Sequence, residues 1–331
     1  MSQVHVGLMA DPAKPTEVAR EFRDRYQPDG DGQPRWDVEV VSEPFTLACE
    51  DVETALSRLT EHGRERRWDL VVGLTELPLR DKDGRYLLVE TDPEQRTAVL
   101  SLPASGLRAH QRSRHALHEL VSGMADPSSE GDRRVPLPRR SGRWRLLLGM
   151  VLANRPWLLV PGLKSALVAA LTTGAIATIN STVWLLAGSL SWWRLVVAMV
   201  ASLALVVGWL VIDGQLWDRP EDDSAAARER SRLYNASTLL TLCAGAVICY
   251  LALYVLNLLW ALFVLDPGVM GGYLKQPIGY GDLFVLSWFV ASVATVGGAL
   301  GSGLESDEAI RAATYSKREE VRRSRLAEDR S

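Results

Sequence analysis

Apolar and polar positions follow two different rhythms along this chain, and the change falls near residue 143. Before it, apolar residues come in short runs or at every second position. VHVGLMA (4–10), WDVEVV (36–41), DLVVGLTELPL (69–79), RYLLVE (85–90) and TAVLSL (97–102) read as strands. PTEVAREFRDRY (15–26), EDVETALSRLTEHGRER (50–66) and LRAHQRSRHALHELVSGM (107–124) read as helices, the first opening on a proline that the first turn tolerates. The order β-α-β-α-β-β-β-α predicts an α/β domain with a mixed sheet over 1–124. Residues 125–142, ADPSSEGDRRVPLPRRSG, have the composition of a linker.

Beyond the linker the apolar runs lengthen. Four segments, about 165–189, 195–213, 237–264 and 283–303, are free of charge and histidine until their last residues. A helix needs about 20 such residues to cross a hydrocarbon core of ~30 Å. They predict an all-α membrane domain of four transmembrane helices over 164–304. Residues 143–163, RWRLLLGMVLANRPWLLVPGL, are apolar but broken by Arg155, Pro156 and Pro161, and read as a helix lying on the membrane surface. Trp157, Trp184, Trp192, Trp193, Trp209 and Trp217 fall near the predicted boundaries, where an indole keeps its ring apolar and its N–H wet. The segment 305–331 alternates charge, with Asp307–Arg311 and Glu319–Arg323 in helix-supporting order, and reads as a charged tail helix.

Charge sets the topology. Nineteen Lys and Arg flank the spans on one side, and only Arg194 and Lys275 stand on the other. The excess marks the cytoplasmic face, so both termini and the loop between spans two and three are expected inside. MSQVHVGLMADPAKP lacks the basic start and apolar core of a signal peptide, which agrees with a cytoplasmic first domain. Residues 1–142 carry 20 Lys and Arg against 25 Asp and Glu, and the net charge of the whole chain is −3, so nucleic acid is not an expected partner. Arg outnumbers Lys 32 to 5, the codon signature of a GC-rich bacterial genome. The expected location is therefore the bacterial plasma membrane. Three cysteines, Cys49, Cys243 and Cys249, form neither a disulfide framework nor a CxxC site.

No charge lies at mid-depth in the spans, which weighs against a proton-coupled transporter. Asn180 and Asn257 are the candidates for interhelical hydrogen bonds, or for a polar pathway. Gly297 and Gly301 have GxxxG spacing, so the fourth span can approach another helix closely, within its own bundle or in a second copy.

One helix carries a pattern with chemistry. His118-Glu119-Leu120-Val121-Ser122 supplies the first histidine and the glutamate of a zinc-peptidase HExxH helix. Ser122 stands where the second ligand belongs, and no histidine follows position 118. His115 shares a helical face with His118, but two histidines do not close a tetrahedral site. Glu119 is the general-base candidate, His115 and His118 are the metal-ligand candidates, and zinc is the only cofactor in view.

That pentapeptide, with DLVVGLTELPL and TAVLSLPASG, resembles the N-terminal half of archaemetzincin-like zinc peptidases over about residues 1–124. The resemblance implies a ligand at His118 and a base at Glu119, and the departure at Ser122 implies a degenerate, non-catalytic relative. GRWRLLLGMVLANRPWLLVPGLKSALVAAL and the domain order are also similar to an uncharacterised family of actinobacterial polytopic membrane proteins. The expectation is a non-enzymatic membrane protein whose cytoplasmic α/β domain binds a partner or ligand on a four-helix anchor. The alternatives are a membrane-tethered zinc metallopeptidase and a small transporter or channel.

Overall fold

The computed structural model describes residues 4–26, 36–46, 51–81, 85–125, 134–138, 141–220 and 225–301, with 107–110, 225–226 and 299–301 described in backbone only. Cys49 and the expected tail helix 305–331 lie outside the described residues. Two compact units divide after Ala153.

The first unit is an α/β domain. Its elements are β1 (Val4–Ala10), α1 (Lys14–Tyr26), β2 (Trp36–Ser42), α2 (Val52–Arg66), β3 (Leu70–Thr75), β4 (Leu79–Arg80), β5 (Tyr86–Asp92), β6 (Thr97–Ser101), α3 (Ala109–Ala125), β7 (Val135–Pro136) and α4 (Ser141–Ala153). A 3-10 turn, Pro103–Arg108, joins β6 to α3. The sheet order is β2-β1-β3-β6-β5-β4, with β7 beside β5. β1 runs parallel to β2 and β3, β3 runs parallel to β6, and β5 is antiparallel to β6. The mixed sheet expected from the sequence is therefore present.

Strand periodicity sorts the core into two layers. Val6, Leu8 and Ala10 face one side, where they meet Phe22 of α1 and Leu117, Leu120 and Val121 of α3. Met9 faces the other side with Ala55 and Leu59 of α2. Gly7 lies under Trp68, whose ring would sit 2.0 Å from a Cβ there, so only glycine fits. Asp51 starts α2 by accepting the Thr54 N–H at 3.0 Å.

Two sequence expectations change in this unit. The strand expected over 69–79 is two strands, because Glu76 N–H donates to Asp11 Oδ2 and Leu77 N–H to Thr75 Oγ1, which turns the backbone out of the ladder after Thr75. Within the expected linker, Val135 and Pro136 add to β5. Arg134 pairs there with the buried carboxylate of Asp81 and with Glu90, two acids that need a cation once withdrawn from water.

The expected surface helix over 143–163 is also divided. α4 stops at Ala153, and Arg155 adopts a left-handed φ of 52°. The 3-10 turn Pro156–Leu158 and the short α5 (Leu159–Gly162) follow. Pro156 and Pro161 lack the N–H that a continuous helix would use. α4 buries Gly142, Leu146, Gly149, Met150 and Val151, and packs on the Pro103–Arg108 turn.

The second unit is helical. It continues with α6 (Lys164–Thr178), α7 (Ser181–Ser189), α8 (Trp192–Asp213), α9 (Ala225–Val264), α10 (Pro267–Leu274) and α11 (Tyr280–Gly301). Three of these, α8, α9 and α11, are long and apolar enough to cross a membrane. Their outward residues are large and apolar: Trp192, Ile212 and Phe263 are at least 74% exposed. Among the described residues a fourth crossing is available only as the bent pair Ser141–Gly162 and Lys164–Thr178. The first expected span, 165–189, is broken at Ile179 and Asn180. Asn180 Oδ1 accepts the Thr182 N–H at 2.9 Å and starts α7. Trp184 Nε1 donates to Thr178 O at 2.6 Å, occupying a carbonyl that the end of α6 leaves open.

Candidate functional site

The order of β2, β1 and β3 creates a switch point. From β1 the chain moves to one neighbour, β2, and then returns to the other, β3. In open sheets of this kind ligands bind outside the carboxyl ends of the strands at that point. Here the carboxyl ends of β1 and β3 carry polar groups. Asp11, only 3% exposed, accepts Thr75 Oγ1–H at 2.7 Å and Glu76 N–H at 3.2 Å through Oδ2. Thr16 donates its hydroxyl proton to Asp11 O at 2.8 Å, which leaves Ser42 as the donor in the 2.7 Å contact between their hydroxyls. Ser101, at the end of β6, donates to Leu77 O at 2.8 Å. The crest thus holds the buried hydroxyls of Thr16, Thr75 and Ser101 and the buried carboxylate of Asp11, which accepts from Thr75.

α4 closes over the neighbouring loops. Lys14 Nζ donates to Leu152 O at 3.3 Å. Gly149 rests on the Pro103 backbone, and the Arg145 side chain crosses Gly106, whose φ is +71°. A Cβ at 106 would lie 2.6 Å from Arg145 Cγ, so the residue must be glycine for both reasons. From α3, Arg112 Nη1 donates to Ser105 O at 3.0 Å. Burial first, and then the neighbouring charge of Arg112, hold the Arg145 guanidinium below its ordinary pKa. Asp11, Arg112 and Arg145 were not singled out by sequence. The only available signal was the position of Asp11 just after a strand.

The expected metal helix is α3, and the structure sends its residues to different neighbours. His115 Nε2 lies 3.0 Å from Glu119 Oε1, on an exposed face. The His118 ring packs on Tyr26 and Trp36, with centroids 5.0 and 5.9 Å away. It forms the edge of an aromatic cluster in which Phe22 stacks on Trp36 at 5.8 Å. Ser122 Oγ is buried and without a hydrogen-bond partner among the described residues. Among the described residues no three His, Cys, Asp or Glu side chains form a metal-holding group. His118→Ala is expected to cost the domain about 1 kcal/mol through lost ring contacts. It is expected to leave the metal content of the purified protein unchanged. Elemental mass spectrometry beside a melting curve checks both, and stoichiometric zinc lost in the variant would reverse the reading.

In the second unit the polar residues expected to join helices act locally. The Asn180 side chain caps α7, and Asn257 Nδ2 donates to Leu253 O, one turn back on its own helix, at 2.8 Å. Asn257 is fully buried against Gly174 of α6, with Oδ1 unpaired among the described residues. The small face of α11 is occupied inside the bundle: Gly297 faces Thr173, and Gly298 faces Ala166 and Ala170, all on α6. Gly301 ends the helix, described in backbone only.

Compared with protein-family models, with curated proteins and with solved structures, the chain matches none.

Proposed function

We propose that this protein is a multi-pass protein of the bacterial plasma membrane in which a non-enzymatic cytoplasmic α/β domain binds a ligand or partner and a four-crossing bundle anchors it. The observation that carries the reading is the joining of two kinds of surface in one chain. Long helices present large apolar side chains outward, which only a hydrocarbon solvent favours. The α/β unit has its own two-layered core and a polar crest at a switch point, the place where such sheets receive ligands. The fourth crossing in this reading is the sequence run 165–189, whose α6 also belongs to the bent pair Ser141–Gly162 with Lys164–Thr178. The excess of Lys and Arg supports cytoplasmic termini.

The parity of the crossings is directly testable. Phosphatase reporters, active only outside, are fused after Leu190, Asp222 and Lys275. Activity after Leu190 and Lys275 but not after Asp222 is expected. With the first domain still inside, the absence of a fourth crossing would invert the pattern at all three positions. A hydrolytic activity of the purified protein that Glu119→Gln abolishes would overturn the non-enzymatic part.

A further inference from the structure

Among the described residues two arginines of the first unit come together with no acid paired to either. Arg112 reaches from α3 to the carbonyl of Ser105, and Arg145 reaches from α4 across Gly106, the next residue. Both side chains therefore converge on one turn of backbone, with their charges near enough to repel. Among the described residues neither has a carboxylate within ion-pair distance, although other arginines of this unit do, such as Arg134 with Asp81 and Arg66 with Glu39. Arg145 Nε is withdrawn from water and has no acceptor among the described residues. A buried guanidinium N–H without an acceptor is costly, and a second guanidinium beside it raises the cost. Arginine does not relieve this by losing its proton, because its charge persists at any physiological pH. An anion with several oxygens would satisfy both forks at once.

We propose that Arg112 and Arg145 form a receptor for a phosphate group, carried either by a membrane lipid or by a soluble phosphate. This rests on the ligand-binding role given to the α/β domain and names the chemistry of the ligand. The fork geometry of guanidinium matches phosphate oxygens two at a time, and two forks from separate helices can grip one tetrahedral group. The anion would also join α3 to α4, since one arginine comes from each. The outer face of α4 bears Trp144 and Leu148, 65% and 38% exposed and one helical turn apart. An apolar ridge beside a phosphate receptor is the arrangement a lipid headgroup would meet. A soluble phosphate uses the same two arginines without the ridge.

The test uses the full chain in two settings, with hydrogen exchange of 103–113 and 141–153 as the readout. In neutral detergent, inorganic phosphate is titrated at constant ionic strength. In nanodiscs in a buffer without inorganic phosphate, zwitterionic phosphatidylcholine alone is compared with phosphatidylcholine plus anionic phosphatidylglycerol. At a phosphate concentration about ten times its dissociation constant, exchange that follows ligand release should slow about tenfold. Arg112→Gln and Arg145→Gln should each weaken binding about 10- to 100-fold. Arg114→Gln, which removes from α3 a guanidinium paired with Glu21 of α1, should leave it unchanged. Protection by inorganic phosphate alone identifies a soluble ligand, protection by the anionic nanodisc alone identifies a lipid headgroup, and both together identify a site that reads the group wherever it is carried. Protection in neither setting overturns the proposal, as does protection that survives the double variant. Arg112 is exposed, so Arg112→Gln keeps the test readable if Arg145→Gln fails to fold. The reporter fusions judge the membrane reading separately: their failure with intact phosphate protection would leave this site standing.

Discussion

Gly149→Val is expected to lift α4 from the turn it covers and to cost the first unit about 3 kcal/mol or more. A Cβ at this position would fall 2.1 Å from Pro103 O and 2.8 Å from both Pro103 C and Cα. These are backbone atoms and cannot rotate aside, so the two segments must separate. Separation exposes Leu146, Met150 and Val151, now 0%, 7% and 9% exposed. Each such side chain is worth about 1.5–3 kcal/mol when fully buried, an upper figure for a helix that can settle elsewhere. Hydrogen exchange is the direct measurement: residues 103–108 and 141–153 should lose protection together while β1, β3 and β6 keep theirs. Unchanged protection in α4 would show that the contact gives way at no cost. Because Arg145 is carried on α4, the same substitution should also abolish phosphate protection.

Gly174→Leu is expected to break the bundle between α6 and α9. A Cβ at 174 would stand 2.2 Å from Asn257 Oδ1 and 2.8 Å from its Cγ. Asn257 is fully buried, and its amide is tied to Leu253 O, so the side chain has little room to yield. Even Gly174→Ala should cost about 1–3 kcal/mol by overpacking. The three atoms nearest that Cβ all belong to Asn257, which gives the prediction a sharp form. Asn257→Ala removes the obstructing atoms together with an oxygen that has no hydrogen-bond partner among the described residues. The double variant Gly174→Ala, Asn257→Ala should then be more stable than Gly174→Ala alone, a coupling read by a double-mutant cycle of detergent unfolding. Gly208→Ala is the control, since among the described residues nothing lies within 4 Å of a Cβ there. Additive effects of the two substitutions would mean that Gly174 and Asn257 do not meet.

Much of the α/β unit was legible because its signal is local. Strands with period-two alternation and helices opened by Pro15 or Asp51 appear within a residue or two of their expected ends. The break after Thr75 was not legible, because it depends on Asp11, 64 residues earlier, accepting from Thr75. The same holds for β7: nothing in VPLP announces a strand until the edge of β5 is beside it. The break at Asn180 could have been read, since Asn-Ser-Thr is a helix-start pattern, but a long uncharged run outweighed it.

The candidate site was far less legible than the fold. His118 and Glu119 match a catalytic pattern at helical spacing, and spacing is blind to what stands opposite. In the structure Tyr26 and Trp36 stand opposite His118, and His115 takes Glu119. Arg112 and Arg145 match no pattern, being 33 residues apart on separate helices. By itself the sequence determined the division into an α/β part and an apolar helical part, the elements of the first, and the runs long enough for a membrane. Those properties are sums over neighbouring residues, in which each side chain votes for burial or exposure. Only the tertiary structure decided that α4 docks on the 103–108 turn, that Gly149 and Gly106 permit it, and that Arg112 and Arg145 meet over that turn. Such properties belong to pairs of distant residues, and a contact between distant residues is set by how whole elements pack.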